Sequence, residues 1–306
     1  MKKCITLSCL VVAVATLTTN QVFAGGGGTG SKATGVVRIK NTAATGSSAP
    51  LIALDSVEVG DPGNAATTVD GTDYGAVAQT YRITKTEITI AQYTTFLNAI
   101  ARRSDGAQGS VVESLYDSRM ATDPHVAGIS RAGSGTEAVP YTYTAIGDPS
   151  KPIAYVSWFN AARFANWLHN GATQTADTET GAYTLSGALS GIITKNPTAS
   201  WWIPSEDEWW KAAYYKGNGV NAGYWRYPTQ SDSFPSNNSS TDANNANFLR
   251  LGLYAITQMA TLDTAQNYLS AAATFTNSPS AYGTFDQGGN LDEALKETPE
   301  PQIQRS

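Results

Sequence analysis

Few side chains in this sequence are equipped for chemistry, and their spacing limits what they can do. His125 and His169 are the two histidines, far apart and without a second His or a Cys at ligand spacing. Ligand count therefore excludes a zinc site or a three-histidine iron site. His169 falls at a predicted helix end, where interaction with the helix dipole is a better reading than general-base chemistry. No Gly-x-Ser-x-Gly elbow frames a serine nucleophile. Glu206, Asp207 and Glu208 cluster in sequence, yet consecutive helical residues diverge in direction, so a capping role fits them better than a glycosidase-type acid pair. Glycine-rich Gly25–Gly30 neither follows a predicted strand nor opens a helix, and no Lys-Ser/Thr completes a phosphate loop.

Two features remain. Gly283-Thr284-Phe285-Asp286-Gln287-Gly288-Gly289-Asn290-Leu291-Asp292-Glu293 alternates acids, amides and glycines. Such a stretch folds tightly enough to collect the six or more oxygens that a hard cation such as calcium requires, and metal-free turns share the composition. The second is aromatic density, with Trp201-Trp202, Trp209-Trp210 and Tyr214-Tyr215 among 7 Trp and 15 Tyr. These rings serve either as the core of a fold poor in regular elements or as a stacking surface for a sugar or peptide.

The elements that must position these residues begin after a leader. Lys2 and Lys3, the apolar run Ile5–Leu17 and the small-x-small Val22-Phe23-Ala24 predict a signal peptide over residues 1–24, cleaved after Ala24. The run is too short for a spanning helix, so no integral membrane segment is expected after cleavage, and the protein is expected to be periplasmic, cell-surface or secreted. Both cysteines, Cys4 and Cys9, leave with the leader, which excludes disulfides and a catalytic thiol from the mature chain. The formal net charge of −5 becomes more negative with the loss of the two lysines, and no Lys/Arg run follows, so nucleic acid is not an expected partner. Residues 25–49 are Gly/Ser/Thr-rich and predict a flexible segment around Val36-Val37-Arg38-Ile39. One domain is predicted over 50–293 and a charged, proline-containing tail over 294–306.

Within the domain, Leu51–Val59 and a region inside Ala76–Thr89 read as strands. A helix capped by Thr89 and Gln92 places Tyr93, Phe96, Leu97 and Ile100 on one face, and Arg102 and Arg103 suit its C-terminal dipole end. A second, opened by Ser157, buries Ala161, Phe164, Ala165 and Leu168 before Gly171. A third carries the Ser205/Glu208 capping box, with Trp209, Ala212 and Ala213 as its predicted buried edge. Gly181–Leu185 and Ser200–Ile203 predict short strands, and Tyr227–Asn247 a long loop.

Together these segments resemble the formylglycine-generating enzyme (sulfatase-modifying factor) family. Tyr81-Arg82-Ile83-Thr84-Lys85-Thr86-Glu87-Ile88-Thr89, with Gln92-Tyr93 and Phe96, is similar to its I-x-K-x-E-V-T-x-x-Q-Y-x-x-F block. Pro152–Trp158 with Ala161 resembles P-V-x-x-V-S-W-x-x-A, Ile203–Trp209 with Lys211-Ala212-Ala213 resembles L-P-[ST]-E-x-E-W-E-x-A-A, and Tyr282–Glu293 resembles Y-G-L-x-D-M-x-G-N-V-W-E-W. The blocks occur in family order. The resemblance implies an irregular α+β fold related to C-type lectin domains, with few helices, short strands and much loop. It also implies structural calcium held by Asp286, the Gly289 and Leu291 carbonyls and Glu293, and a second site that includes Asn247 and the Phe248 carbonyl.

The likeness lapses where the family's catalysis resides. Formylglycine formation implies two copper-holding cysteines near the C-terminus, and this sequence has none there. W-E-W is replaced by Asp292-Glu293-Ala294, and the R-G-G-S-[WF] and G-F-R blocks do not occur. The expectation is thus a non-catalytic relative, without copper, that binds calcium structurally and a peptide or glycan. An enzyme with an unrecognised site, including a formylglycine-generating-type oxidoreductase, and a truncated, non-functional family member are the alternatives.

Overall fold

The computed structural model describes residues 8–9, 13–14, 49–238 and 242–293. The rest of the expected leader, the expected flexible segment apart from Ala49, and the expected tail lie outside the described residues.

In chain order the elements are β1 (Ser8–Cys9), β2 (Ala13–Val14), β3 (Ser56–Val59), β4 (Thr67–Val69), β5 (Thr72–Tyr74), β6 (Tyr81–Thr84), α1 (Ile90–Ile100), α2 (Gly109–Ser114), α3 (Arg119–Thr122), β7 (Ile129–Ala132), β8 (Thr142–Ala145), α4 (Trp158–His169), β9 (Trp201–Trp202), α5 (Glu206–Tyr214) and β10 (Asp292–Glu293). The main sheet runs β3-β6-β2-β9, with every neighbouring pair antiparallel. Two hairpins, β4-β5 and β7-β8, and a parallel β1-β10 pair stand outside it. No helix among the described residues is long and apolar enough to cross a membrane.

The three long helices start where their caps dictate. Thr89 Oγ1 accepts from Gln92 N at 3.3 Å while Gln92 Oε1 accepts from Thr89 N at 2.9 Å, which satisfies two donors that a helix start otherwise leaves open. Ser205 and Glu208 repeat the box on α5, and Ser157 Oγ accepts from Asn160 N on α4. The core lies between α1 and α4, where Phe96 meets Phe164 edge-on at 5.3 Å and Trp167 at 5.3 Å. Ile100 remains half-buried at the margin of this core.

Helix α4 departs from the amphipathic pattern, because every residue from Asn160 to Leu168 is buried. The loop that follows it wraps the outer face, and polar side chains on α4 serve that loop. Arg163 forms a buried two-point pair with Glu179, Nε to Oε1 at 2.7 Å and Nη2 to Oε2 at 3.1 Å, and Glu179 Oε2 also accepts from Gly187 N. Asn166 donates to the Thr178 and Tyr183 carbonyls and accepts from Tyr183 N. At the helix end Asn170 donates to the carbonyls of Asp177 and Thr180, both at 2.8 Å.

Several local expectations are corrected. Gly181–Leu185 contributes one bridge, Tyr183 to Lys195, and no strand. Arg103 pairs with Asp105 and Glu137 at the surface and does not close α1. On α5 the buried side is Glu208, Lys211, Ala212 and Ala213, with Trp209 half-exposed. Lys211 turns inward because its Nζ reaches the Asp61 carbonyl at 2.9 Å.

Candidate functional site

The aromatic pairs separate into two populations. Trp201 and Trp202 are buried in the sheet, and Trp202 Nε1 donates to Glu208 Oε2 at 2.9 Å. Trp209, Trp210 and Tyr214 stay half-exposed on α5, joined by Tyr74 from β5. The rings of Tyr74 and Trp210 stack at 4.7 Å with 19° between planes, and Trp210 stacks on Tyr214 at 4.6 Å and 28°. Trp209 meets Tyr214 edge-on at 5.8 Å. Trp210 and Tyr214 are one helical turn apart, which aligns them on one face.

The hairpin brings Tyr74 to that face. Asp70 and Gly71 both take positive φ, 50° and 84°, as a two-residue hairpin turn requires. Gly75 then fastens β5 to α5, donating from its backbone N to Asp207 Oδ1 at 2.8 Å. Its carbonyl accepts from Asn64 Nδ2 and Tyr224 Oη. At φ +83°, Gly75 passes so close to its neighbours that a Cβ would lie 2.6 Å from Tyr224 Oη and 3.0 Å from Trp210 Cδ1. Asp207 thus supports the hairpin, a role that the capping interpretation of the acid cluster did not contain.

Beneath this face lies a polar knot. Burial lowers the Lys211 ammonium to about 8, with the nearby Asp61 carboxylate acting in the opposite direction. Tyr282 donates to Asp61 Oδ2 at 3.0 Å, and Tyr81 Oη donates to the Glu208 carbonyl.

The residues expected to hold calcium occupy two adjoining loops. Gly289 lies so close to the 245–248 loop that a Cβ there would be 2.3 Å from the Asn247 carbonyl oxygen, and that oxygen accepts from Asn290 N at 2.7 Å. Asn247 Nδ2 donates to Asn290 Oδ1 and to the Tyr268 carbonyl, and the Phe248 carbonyl accepts from Asn237 Nδ2. Asp286, at φ 62°, has its carboxyl pushed up to about 6 by burial, partly offset by the Ala273 N–H that it accepts. Gln287 Oε1 is buried beside it without a hydrogen-bond partner. A desolvated carboxylate and an open amide oxygen are donors suited to a hard cation. Leu291 is buried, and Glu293 lies in β10 paired with Cys9 of β1. Among the described residues no three His, Cys, Asp or Glu side chains gather at metal-holding distance, so backbone and amide oxygens would have to complete such a shell.

The two histidines are separated as well. His169 Nδ1 accepts from Ser200 N at 3.1 Å and meets Ser200 Oγ at 2.8 Å, so it is a neutral acceptor tying α4 to β9 and does not face the dipole as a cation. Burial lowers its pKa. His125 sits near a group that the sequence did not single out. Asp123 accepts from His125 N through Oδ1 and from Tyr155 Oη through its other oxygen, and the Arg119 guanidinium lies 4.3 Å from the centre of the Tyr155 ring. Tyr155 holds φ 63°, a conformation that no Gly or Asn at this position foretold.

Residues 56–302 match the family described as the sulfatase-modifying factor enzyme 1-like domain. Neither curated proteins nor solved structures offer a match to the chain. The matched span contains α1, α4, α5 and the whole aromatic face, and the short strands and long loops around them form the mixed α+β fold that the resemblance implied. By that match, the chain belongs to the sulfatase-modifying factor family.

Proposed function

We propose that this is an exported, non-catalytic member of the family, periplasmic, cell-surface or secreted, that binds a peptide or glycan on the Tyr74, Trp210 and Tyr214 face. The observation that carries this reading is the pair of stacked contacts at 4.7 and 4.6 Å between half-exposed rings on a rigid helix and hairpin. Flat aromatic faces recognise sugar rings and apolar side chains by stacking and area burial. The position of the cysteines supports the non-catalytic part, because Cys4 and Cys9 are the only two and both lie in the leader. Calcium at Asp286 and the neighbouring oxygens of Gly289, Leu291, Asn247 and Phe248, with Glu293, would brace the two C-terminal loops.

Tryptophan fluorescence titrated with panels of oligosaccharides and peptides tests the reading. A saturable change with one ligand class is expected, weakened about tenfold, or ~1.4 kcal/mol, by Trp210→Ala. Saturable binding that Trp210→Ala leaves untouched would remove this face from consideration. Copper-dependent oxygen uptake on a cysteine-containing sulfatase peptide would overturn the non-catalytic part. A second reading, an enzyme centred on Asp123, His125 and Tyr155, is favoured by the positive φ of Tyr155, since backbone strain gathers at functional sites. Turnover of any substrate that Tyr155→Phe abolishes without changing the melting temperature would select it.

A further inference from the structure

The main sheet has one strand that does not come from the domain. β2, Ala13–Val14, lies inside the apolar run that the sequence marks as a removable leader, yet it is an interior strand, pairing with β6 on one side and β9 on the other. Ala13 is in register with Ile83 and Trp202, and Val14 with Arg82 and Trp201.

The walls of the slot are held by contacts other than those to β2. β6 is held by four paired residues of β3. β9 is anchored at both ends, by Ser200 N on His169 Nδ1 at 3.1 Å and by Ile203 N on Tyr183 Oη at 2.9 Å. Glu208 bolts the walls to each other, since its carbonyl takes the Tyr81 hydroxyl of β6 and its carboxylate takes the Trp202 indole of β9. Tyr81, Ile83, Trp201 and Trp202 are all buried. Neighbouring strands lie about 4.8 Å apart, so removing one from between fixed neighbours leaves a gap about twice that wide. Such a gap is edged by backbone donors and acceptors that need partners.

We propose that this slot is a strand-acceptor site. The leader fills it in the unprocessed chain, and after processing it takes an extended, uncharged segment of a partner protein, antiparallel to both β6 and β9. The chemistry of the occupant is read from the strand now seated there. It is two residues of paired backbone within an apolar run that carries no charge from Ile5 to Leu17. Backbone pairing supplies the affinity, as in other modes of peptide capture by strand addition. The site is separate from the aromatic face, so either can fail without the other.

The test uses the full chain, its Ala13→Pro variant and a synthetic peptide copying residues 10–16, followed by amide hydrogen exchange. Proline removes the N–H and unseats the strand. In the variant, amides of Tyr81–Thr84 and Trp201–Trp202 should exchange at least about tenfold faster, equivalent to ~1.4 kcal/mol of lost protection. Those of Ile90–Ile100 should be unchanged, and saturating peptide should return the fast amides to parent rates. Unchanged exchange, or fast exchange that peptide does not reverse, overturns the proposal. If Ile90–Ile100 also loses protection and peptide does not restore it, β2 is a fixed part of the fold and the proposal falls equally. Protection recovered without peptide, alongside concentration-dependent dimers in sedimentation, would assign the slot to a second copy and overturn the partner.

Discussion

At the level of single residues, Gly75 is the position where backbone freedom and the ligand face meet. It combines φ +83° with a Cβ space already occupied by Tyr224 and Trp210. Gly75→Ala should therefore cost about 1–3 kcal/mol of backbone strain, read as a lowered denaturant midpoint, and should displace the Trp210 ring and weaken ligand binding. A variant with parental stability and parental tryptophan fluorescence would show that the hairpin can move away freely. His169 offers a pH test with a defined sign. Its folded pKa lies below the ordinary value because of burial, and its Nδ1 accepts a backbone N–H. The unfolded state thus takes up the proton more readily, so stability is fully present above about pH 6.5 and is lost as pH falls below it. His169→Asn, which can keep an acceptor near the Nδ1 position, should lose less stability than the parent between pH 6.5 and 5, measured by thermal melts across that range. Equal losses in parent and variant would assign the acid sensitivity elsewhere.

Among the elements, α4 depends most on its polar residues. The Arg163–Glu179 pair is buried on both sides, with side-chain exposures of 0% and 8%, and it holds the outer loop against the helix. Breaking one half of such a pair leaves an uncompensated buried charge, so Glu179→Gln should destabilise the domain by about 3–5 kcal/mol, seen in urea unfolding. A loss under about 1 kcal/mol would mean that water reaches the guanidinium. The same helix shows what could be read from sequence alone. Ser157, Thr89 and Ser205 with their partners announced the three long helices, because capping is a local contest between side chain and backbone that three or four residues decide. The inward turn of Lys211 was hidden, since its acceptor, the Asp61 carbonyl, lies 150 residues away. The β7-β8 hairpin was missed for the same reason. Part of its fixation comes from Asn98 on α1, which exchanges hydrogen bonds with the Tyr143 backbone. For the candidate site, the aromatic doublets were visible, but only the fold divides Trp201 and Trp202 in the core from Trp209 and Trp210 on the face.

For the molecule as a whole, the C-terminal part is ordered with almost no ladder. Between α5 and β10 the described chain has no strand, and side-chain amides supply many of its links, among them Asn237 to the Phe248 and Leu253 carbonyls and Gln258 to the Asn237 carbonyl. A cation binding there should therefore stabilise the entire domain. Millimolar calcium is expected to raise the melting temperature of the full chain, and Asp286→Asn to abolish the rise. At a free concentration of about 100 times Kd the gain approaches ~2.7 kcal/mol. Identical melts with calcium and with chelator would remove calcium from the assignment. Side-chain amides also tie down the loop after α4, and there one of them stands in a chemically labile sequence. Asn170 precedes Gly171, a pairing whose unhindered backbone favours succinimide formation, and its side-chain NH₂ is spent on two carbonyls of the α4 loop. Deamidation there would turn a donor into a carboxylate facing carbonyl oxygens, so ageing would loosen the wrapping of α4 without any change in the encoded sequence.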